Sequence, residues 1–146
     1  MKMLSYAAIV AGGIALMSAT PAFAEMVKYK ADLTAGEEVP ATDSTATGMS
    51  DITYDTETMK LTWSVSYEGL TGDATAAHFH GPAAVGENAK PVVPIDGPLA
   101  SPIEGEATLT EAQAADLDAG MWYFNVHTAK FPDGEIRGQV VKAGAM

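Results

Sequence analysis

The sequence predicts an all-β domain: a Greek-key β-sandwich or barrel, immunoglobulin-like or superoxide-dismutase-like, with one short helix near residues 110–118. Three observations predict it. Apolar and polar residues alternate with a period of two along most of the chain, as in half-buried antiparallel strands. About seven such segments are separated by turn residues. One segment alone breaks the period, and it carries helix start and stop signals.

The elements follow in chain order. "MKMLSYAAIVAGGIALMSATPAFA" has Lys2, an apolar run from Tyr6 to Met17, and a small-x-small end at Ala22–Ala24. It reads as a secretory signal peptide over residues 1–24, leaving residues 25–146 as a single domain. The run is shorter than the ~20 residues a spanning helix needs, so no stable membrane insertion is expected after cleavage. No cysteine follows it to carry a lipid. The expected location is periplasmic or secreted.

"MVKYKADL" and "ATGMSDITYD" read as strands. In "KLTWSVSYEGL", Leu61, Trp63, Val65 and Tyr67 take one face and Thr62, Ser64 and Ser66 the other. "YDTETMK" supplies a tight turn, so residues 47–67 are expected to form a hairpin. "AAHFHG" points Phe79 one way and His78 and His80 the other. "PVVPI" carries two prolines and fits an edge strand or an extended loop. In "TLTEAQAADLDAG", Thr110 and Gln113 form a capping-box pattern, and Gly120 sits where a helix stops.

The last segment is "MWYFNVHTAKFPDGEIRGQVV". Trp122, Phe124 and Val126 share one face; Met121, Tyr123, Asn125 and His127 share the other. "PDG" is a turn signature with glycine in the left-handed position. A three-residue loop, Pro132 to Gly134, would pair His127 with Gln139 and Val126 with Val140. Gly134 is then expected to have positive φ. This register keeps Phe124, Val126, Ile136 and Val140 on one apolar face, with Asn125, His127, Arg137 and Gln139 opposite.

Composition excludes several functions. A net charge of −11 repels phosphates, so nucleic acid is not an expected partner. The scattered acids favour solubility. The absence of cysteine removes thiol chemistry and leaves the core, or a metal, to stabilise an exported domain. There is no G-x-S-x-G, and no glycine-rich phosphate loop opens a helix. Glu37 and Glu38 fall in a polar loop and read as ionised surface acids.

The chain has three histidines, and two of them lie in "HFH". An i, i+2 pair on a strand puts two imidazoles on one side, roughly 6.5–7 Å apart at the backbone. His127, from the polar face of another strand, would complete a three-histidine site with an open fourth position. Neutral imidazole suits copper or zinc. Periodicity does not reveal whether the two strands are neighbours. The plainer reading is that outward histidines are solvated or act as hydrogen-bonding spacers. Arg137 either satisfies backbone carbonyls, pairs with Glu135, or attracts an anion near His127. Asn125 and Gln139 read as structural residues or as hydrogen-bonding partners that orient the histidines.

"HFHGPA", the capped helix before "LDAG", "FNVHT" and "FPDGEIRGQ", in this order and spacing, resemble the CHRD domain, the module named after chordin and found alone in exported bacterial proteins. The resemblance runs from about Lys28 to Val141. It implies an immunoglobulin-like or Greek-key barrel, and in chordin the domain belongs to an extracellular antagonist of bone morphogenetic proteins. The family motif falls on His78, His80, Gly81, Pro82, Asn125, His127, Thr128, Gly134, Glu135, Arg137 and Gly138. It brings no assigned catalytic set. "HFHG" with a later histidine is also similar to copper–zinc superoxide dismutase. That enzyme needs more histidines than this chain has, and a disulfide, so the likeness is one of fold and site position. Two functions remain: an exported domain binding copper or zinc through His78, His80 and His127, or a non-catalytic module presenting loop 81–105 to a protein partner.

Overall fold

A computed structural model describes residues 13–18 and 23–144. The leader read over residues 1–24 lies largely outside them. No helix among the described residues is long and apolar enough to cross a membrane.

The elements are β1 (Met26–Thr34), β2 (Thr47–Asp55), β3 (Lys60–Glu68), β4 (Ala74–His80), β5 (Pro91–Pro94), β6 (Ile103–Thr108), α1 (Glu111–Asp118), β7 (Trp122–Thr128) and β8 (Ile136–Lys142). The strands form one antiparallel, nearly closed barrel-like sheet in the order β5-β4-β7-β8-β1-β2-β3-β6. The expected all-β class is therefore what the chain adopts. The crossing from β3 to β4 brings "HFH" beside β7, a neighbour far away in sequence.

Most elements form for the reasons the sequence offers. β2 and β3 pair from Thr47↔Glu68 to Asp55↔Lys60. Asp55 Oδ1 closes their turn by accepting the N–H groups of Glu57 and Thr58 at 2.9 and 3.2 Å. Thr110 and Gln113 make both halves of the capping box that starts α1. Leu117 of that helix is completely buried against the barrel. "PVVP" is an edge strand, paired only with β4.

Two features depart from expectation. β6 is an eighth strand that the sequence reading did not include. Of its inward positions Ile103, Gly105 and Ala107, only the first is large, so it lacks an apolar run. Gly105 is required because a Cβ there would lie 2.5 Å from the Trp63 ring. The bulk of Trp63 on β3 replaces the side chain that β6 lacks.

The β7–β8 register also differs. Val126 pairs with Ile136 and Trp122 with Val140, not Val126 with Val140. The connection is longer than Pro132 to Gly134: Glu135 N–H donates to Val126 O at 2.7 Å, and Thr128 N–H to Phe131 O at 3.2 Å. The buried Glu135 carboxylate, bonded to Thr128 Oγ1 at 2.6 Å, fixes where β8 begins. The displacement along β8 is an even number of residues, so the apolar and polar faces are as expected. Gly134 has φ +124°, as its turn position requires.

The core lies inside the curl of the sheet. Phe79 is at its centre, with ring centroids 4.9 Å from Phe124, 5.2 Å from Trp63 and 5.7 Å from Trp122. With Phe79 and Phe124 packed inward, their neighbours His78, His80 and Asn125 must face the other side of the sheet.

Candidate metal centre

β4 and β7 pair directly, with His78 opposite Asn125, Phe79 opposite Phe124 and His80 opposite Tyr123. His127 lies opposite Ala76, diagonal to His78. The pairing brings the three histidines together on the outer face. One ring nitrogen from each of His78, His80 and His127 lies within 4.8 Å of the other two. His78 Nδ1 and His127 Nε2 are 3.2 Å apart.

This outer face is not open to water. Residues 81–90 fold across it, leaving His80 and His127 buried and His78 half-buried. Three polar side chains hold the segment down. Gln139 Nε2 donates to Ala83 O at 2.9 Å. Arg137 donates to Asn88 Oδ1 at 2.8 Å and to Glu87 O. Tyr123 bridges both the N–H and the carbonyl of Ala89 at 3.1 Å. Arg137 also lies on one face of the Tyr123 ring, 3.5 Å from its centroid, and His80 stacks on it at 4.6 Å and 5°. Arg137 and Gln139 thus point at loop carbonyls, while Asn125 points at the histidines.

The tautomers follow from the partners. His80 Nδ1 lies 2.9 Å from Ala89 O, and His127 Nδ1 lies 2.9 Å from Pro132 O. A carbonyl only accepts, so each Nδ1 carries the hydrogen and each Nε2 presents a lone pair. Both lone pairs face Asn125 Oδ1, at 2.9 Å from His80 Nε2 and 3.0 Å from His127 Nε2. Two of the rings, His78 and His80, are shifted toward the neutral form. The pKa of His78 is lowered by burial, then by the neighbouring His127 and His80. That of His80 is lowered chiefly by burial, against the Ala89 and Asn125 hydrogen bonds, with help from His127 and Arg137.

Glu38 stands behind Asn125 and overturns its reading as a solvated acid: it is buried, and its Oε1 has no hydrogen-bond partner. Burial pushes its pKa up to about 7, against the pull of Arg137 and the Asn125 amide. Gly134 makes room for it. A Cβ there would collide with Glu38 Oε1 and approach Asn125 Nδ2 to 2.8 Å. Sequence parity had placed Tyr123 on the face of His127, a usable signal. Glu38, arriving from the turn after β1, gave none.

The geometry offers convergent nitrogen donors, two of which, on His80 and His127, are hydrogen-bonded from behind as metal-ligating imidazoles usually are. Comparison with known proteins gives one match: the family model described as CHRD domain fits residues 29–140. No curated protein and no solved structure matches the chain.

Proposed function

This chain belongs to the CHRD domain family, and we propose that it is an exported protein binding one transition-metal ion, copper or zinc, through His78, His80 and His127. One observation carries the reading. Backbone carbonyls hold the hydrogens of His80 and His127 on Nδ1, so both Nε2 lone pairs are aimed at one place beside His78 Nδ1. A cation there relieves the mutual repulsion of the acceptors. The three nitrogens lie within 4.8 Å of one another, and bond lengths of about 2.0–2.1 Å require the rings to close inward around the ion. The half-buried side of His78 is the route for an ion to enter. Residues 1–24 would direct export, and the mass of the exported protein should correspond to a chain starting at Glu25.

Titration of the metal-free protein with Zn(II) or Cu(II) should give one site per chain. His80→Ala should abolish it and His127→Ala should weaken it. Affinity should fall as pH drops below about 6.5, because protons compete for the same lone pairs. Stoichiometric binding that survives replacement of all three histidines by alanine would put the ion on the acidic surface. Absence of binding would favour the second reading, a protein-interaction module. That reading has its own support: residues 81–90 are pinned by Arg137, Gln139 and Tyr123, and Val85 is exposed upon them.

A further inference from the structure

We infer that Asn125 Oδ1 is the fourth ligand of this centre, oriented by Glu38, and that it makes the site selective for a divalent ion over Cu(I). The inference rests on the three-histidine reading above and adds a residue that it does not include.

Three of the donor–donor distances approach those of a ligand shell. Asn125 Oδ1 is 2.9 Å from His80 Nε2 and 3.0 Å from His127 Nε2, and His78 Nδ1 is 3.2 Å from His127 Nε2. Donor atoms around a tetrahedral ion with bonds of about 2.0–2.1 Å lie roughly 3.3–3.4 Å apart. Hydrogen bonds do not account for two of these contacts. With Nδ1–H of both rings committed to carbonyls, an amide oxygen and two imidazole lone pairs face each other with no hydrogen between them. A shared cation turns these repulsions into bonds.

The amide cannot relieve the repulsion cheaply by turning over. Asn125 Nδ2 and Glu38 Oε1 share the space against Gly134, and Glu38 Oε1 already lacks a donor. With Glu38 ionised, turning the amide would bring Oδ1 against that oxygen. Glu38 is therefore a positioning residue, and a carboxylate near the amide N–H makes the carbonyl oxygen a better donor to the metal.

The ligand chemistry then selects the ion. Three imidazoles and one amide oxygen suit Zn(II) or Cu(II). Cu(I) favours softer ligands and gains little from the oxygen.

The test compares wild type with Asn125→Ala, Asn125→Asp and Glu38→Leu. Chelator competition measures Zn(II) and Cu(I) affinity, and the visible spectrum of the Co(II) form reports the ligand set. Asn125→Ala should weaken Zn(II) binding by about 10–100-fold, reduce the Co(II) bands, and leave Cu(I) affinity unchanged. Asn125→Asp restores an oxygen with charge and should bind Zn(II) at least as tightly as wild type. Glu38→Leu should weaken Zn(II) but not Cu(I). If wild type binds one ion while Asn125→Ala keeps its Zn(II) affinity and Co(II) spectrum, the fourth ligand is refuted and the three-histidine site stands. Should Asn125→Ala fail to fold, a folded Asn125→Asp that binds Zn(II) more weakly than wild type overturns the inference. Equal loss of Zn(II) and Cu(I) refutes the selectivity, and a wild-type Zn(II) affinity in Glu38→Leu removes its positioning role. A wild type that binds no ion removes the metal reading together with this extension of it.

Discussion

Glu38 and Glu135 are both buried acids near the β7–β8 connection, and their surroundings have opposite consequences. Glu135 accepts from Ser44 Oγ at 2.6 Å, Thr71 N at 3.0 Å, Thr71 Oγ1 at 2.9 Å and Thr128 Oγ1 at 2.6 Å. Burial alone would raise its pKa, but these donors outweigh it and hold the carboxyl below the ordinary value. Glu38 is nearly as enclosed, yet Oε1 receives nothing and its pKa climbs to about 7. Burial alone does not decide the charge of an acid; it acts against the supply of donors, and Glu135 has the larger supply. The satisfied carboxylate ties three loops to the barrel. The unsatisfied one stands behind the candidate metal ligands, where an energetic cost is tolerated.

The largest effect should come from the satisfied acid. Glu135→Leu leaves three hydroxyls and the Thr71 N–H without their acceptor. Unmatched buried donors cost ~1–3 kcal/mol each, and some will find water, so a loss of about 4 kcal/mol is expected. Urea unfolding at pH 7 measures it. A loss under ~1 kcal/mol would show that the hydroxyls rehydrate freely and that Glu135 is not the fastening described.

The unsatisfied acid should behave in the reverse way. The folded-state pKa of Glu38 lies above its ordinary value of 4.5, at about 7. Across that window the folded state holds the proton more often than the unfolded state. Stability therefore falls as pH rises from about 4.5 to about 7. Glu38→Gln keeps the shape and removes the titration. It should match wild type near pH 4 and be more stable near pH 8, by on the order of 2–3 kcal/mol. Parallel stability curves for the two proteins would contradict the desolvation account.

The same contrast shows what a sequence can carry. Strand parity put His78 and His80 on the face opposite Phe79, and His127 opposite Val126; local period fixes those relations. "PDG" foretold the positive φ of Gly134 because turn chemistry is local too. That β4 lies beside β7 depends on a crossing between distant segments, and no local pattern encodes it. β6 was missed because the space it needs is filled by Trp63 of β3. The register of β7 and β8 was set by Glu135, whose donors Ser44 and Thr71 come from other loops. Glu38 looked like a surface acid for the same reason: the residues that enclose it, Asn125 and Gly134, lie on and after β7.

The smallest expected effect belongs to the histidines, and Glu38 hides it. The folded-state pKa values of His78 and His80 are lowered from 6.5, so in the metal-free protein the unfolded chain takes up protons first as pH falls. This contribution is present above about 6.5 and is lost on acidification toward the folded values. It runs against the Glu38 term, which grows over part of the same range. Wild type should therefore show a shallow profile. In Glu38→Gln the opposing term is gone, and the melting temperature should rise from pH 5 to pH 7. Adding His78→Ala should flatten that rise, since it removes one desolvated ring and its charge coupling to His127 and His80. If Glu38→Gln alone is flat over this range, the rings are not desolvated by the segment 81–90. The enclosure that separates this face of the sheet from an ordinary solvated one would then be absent.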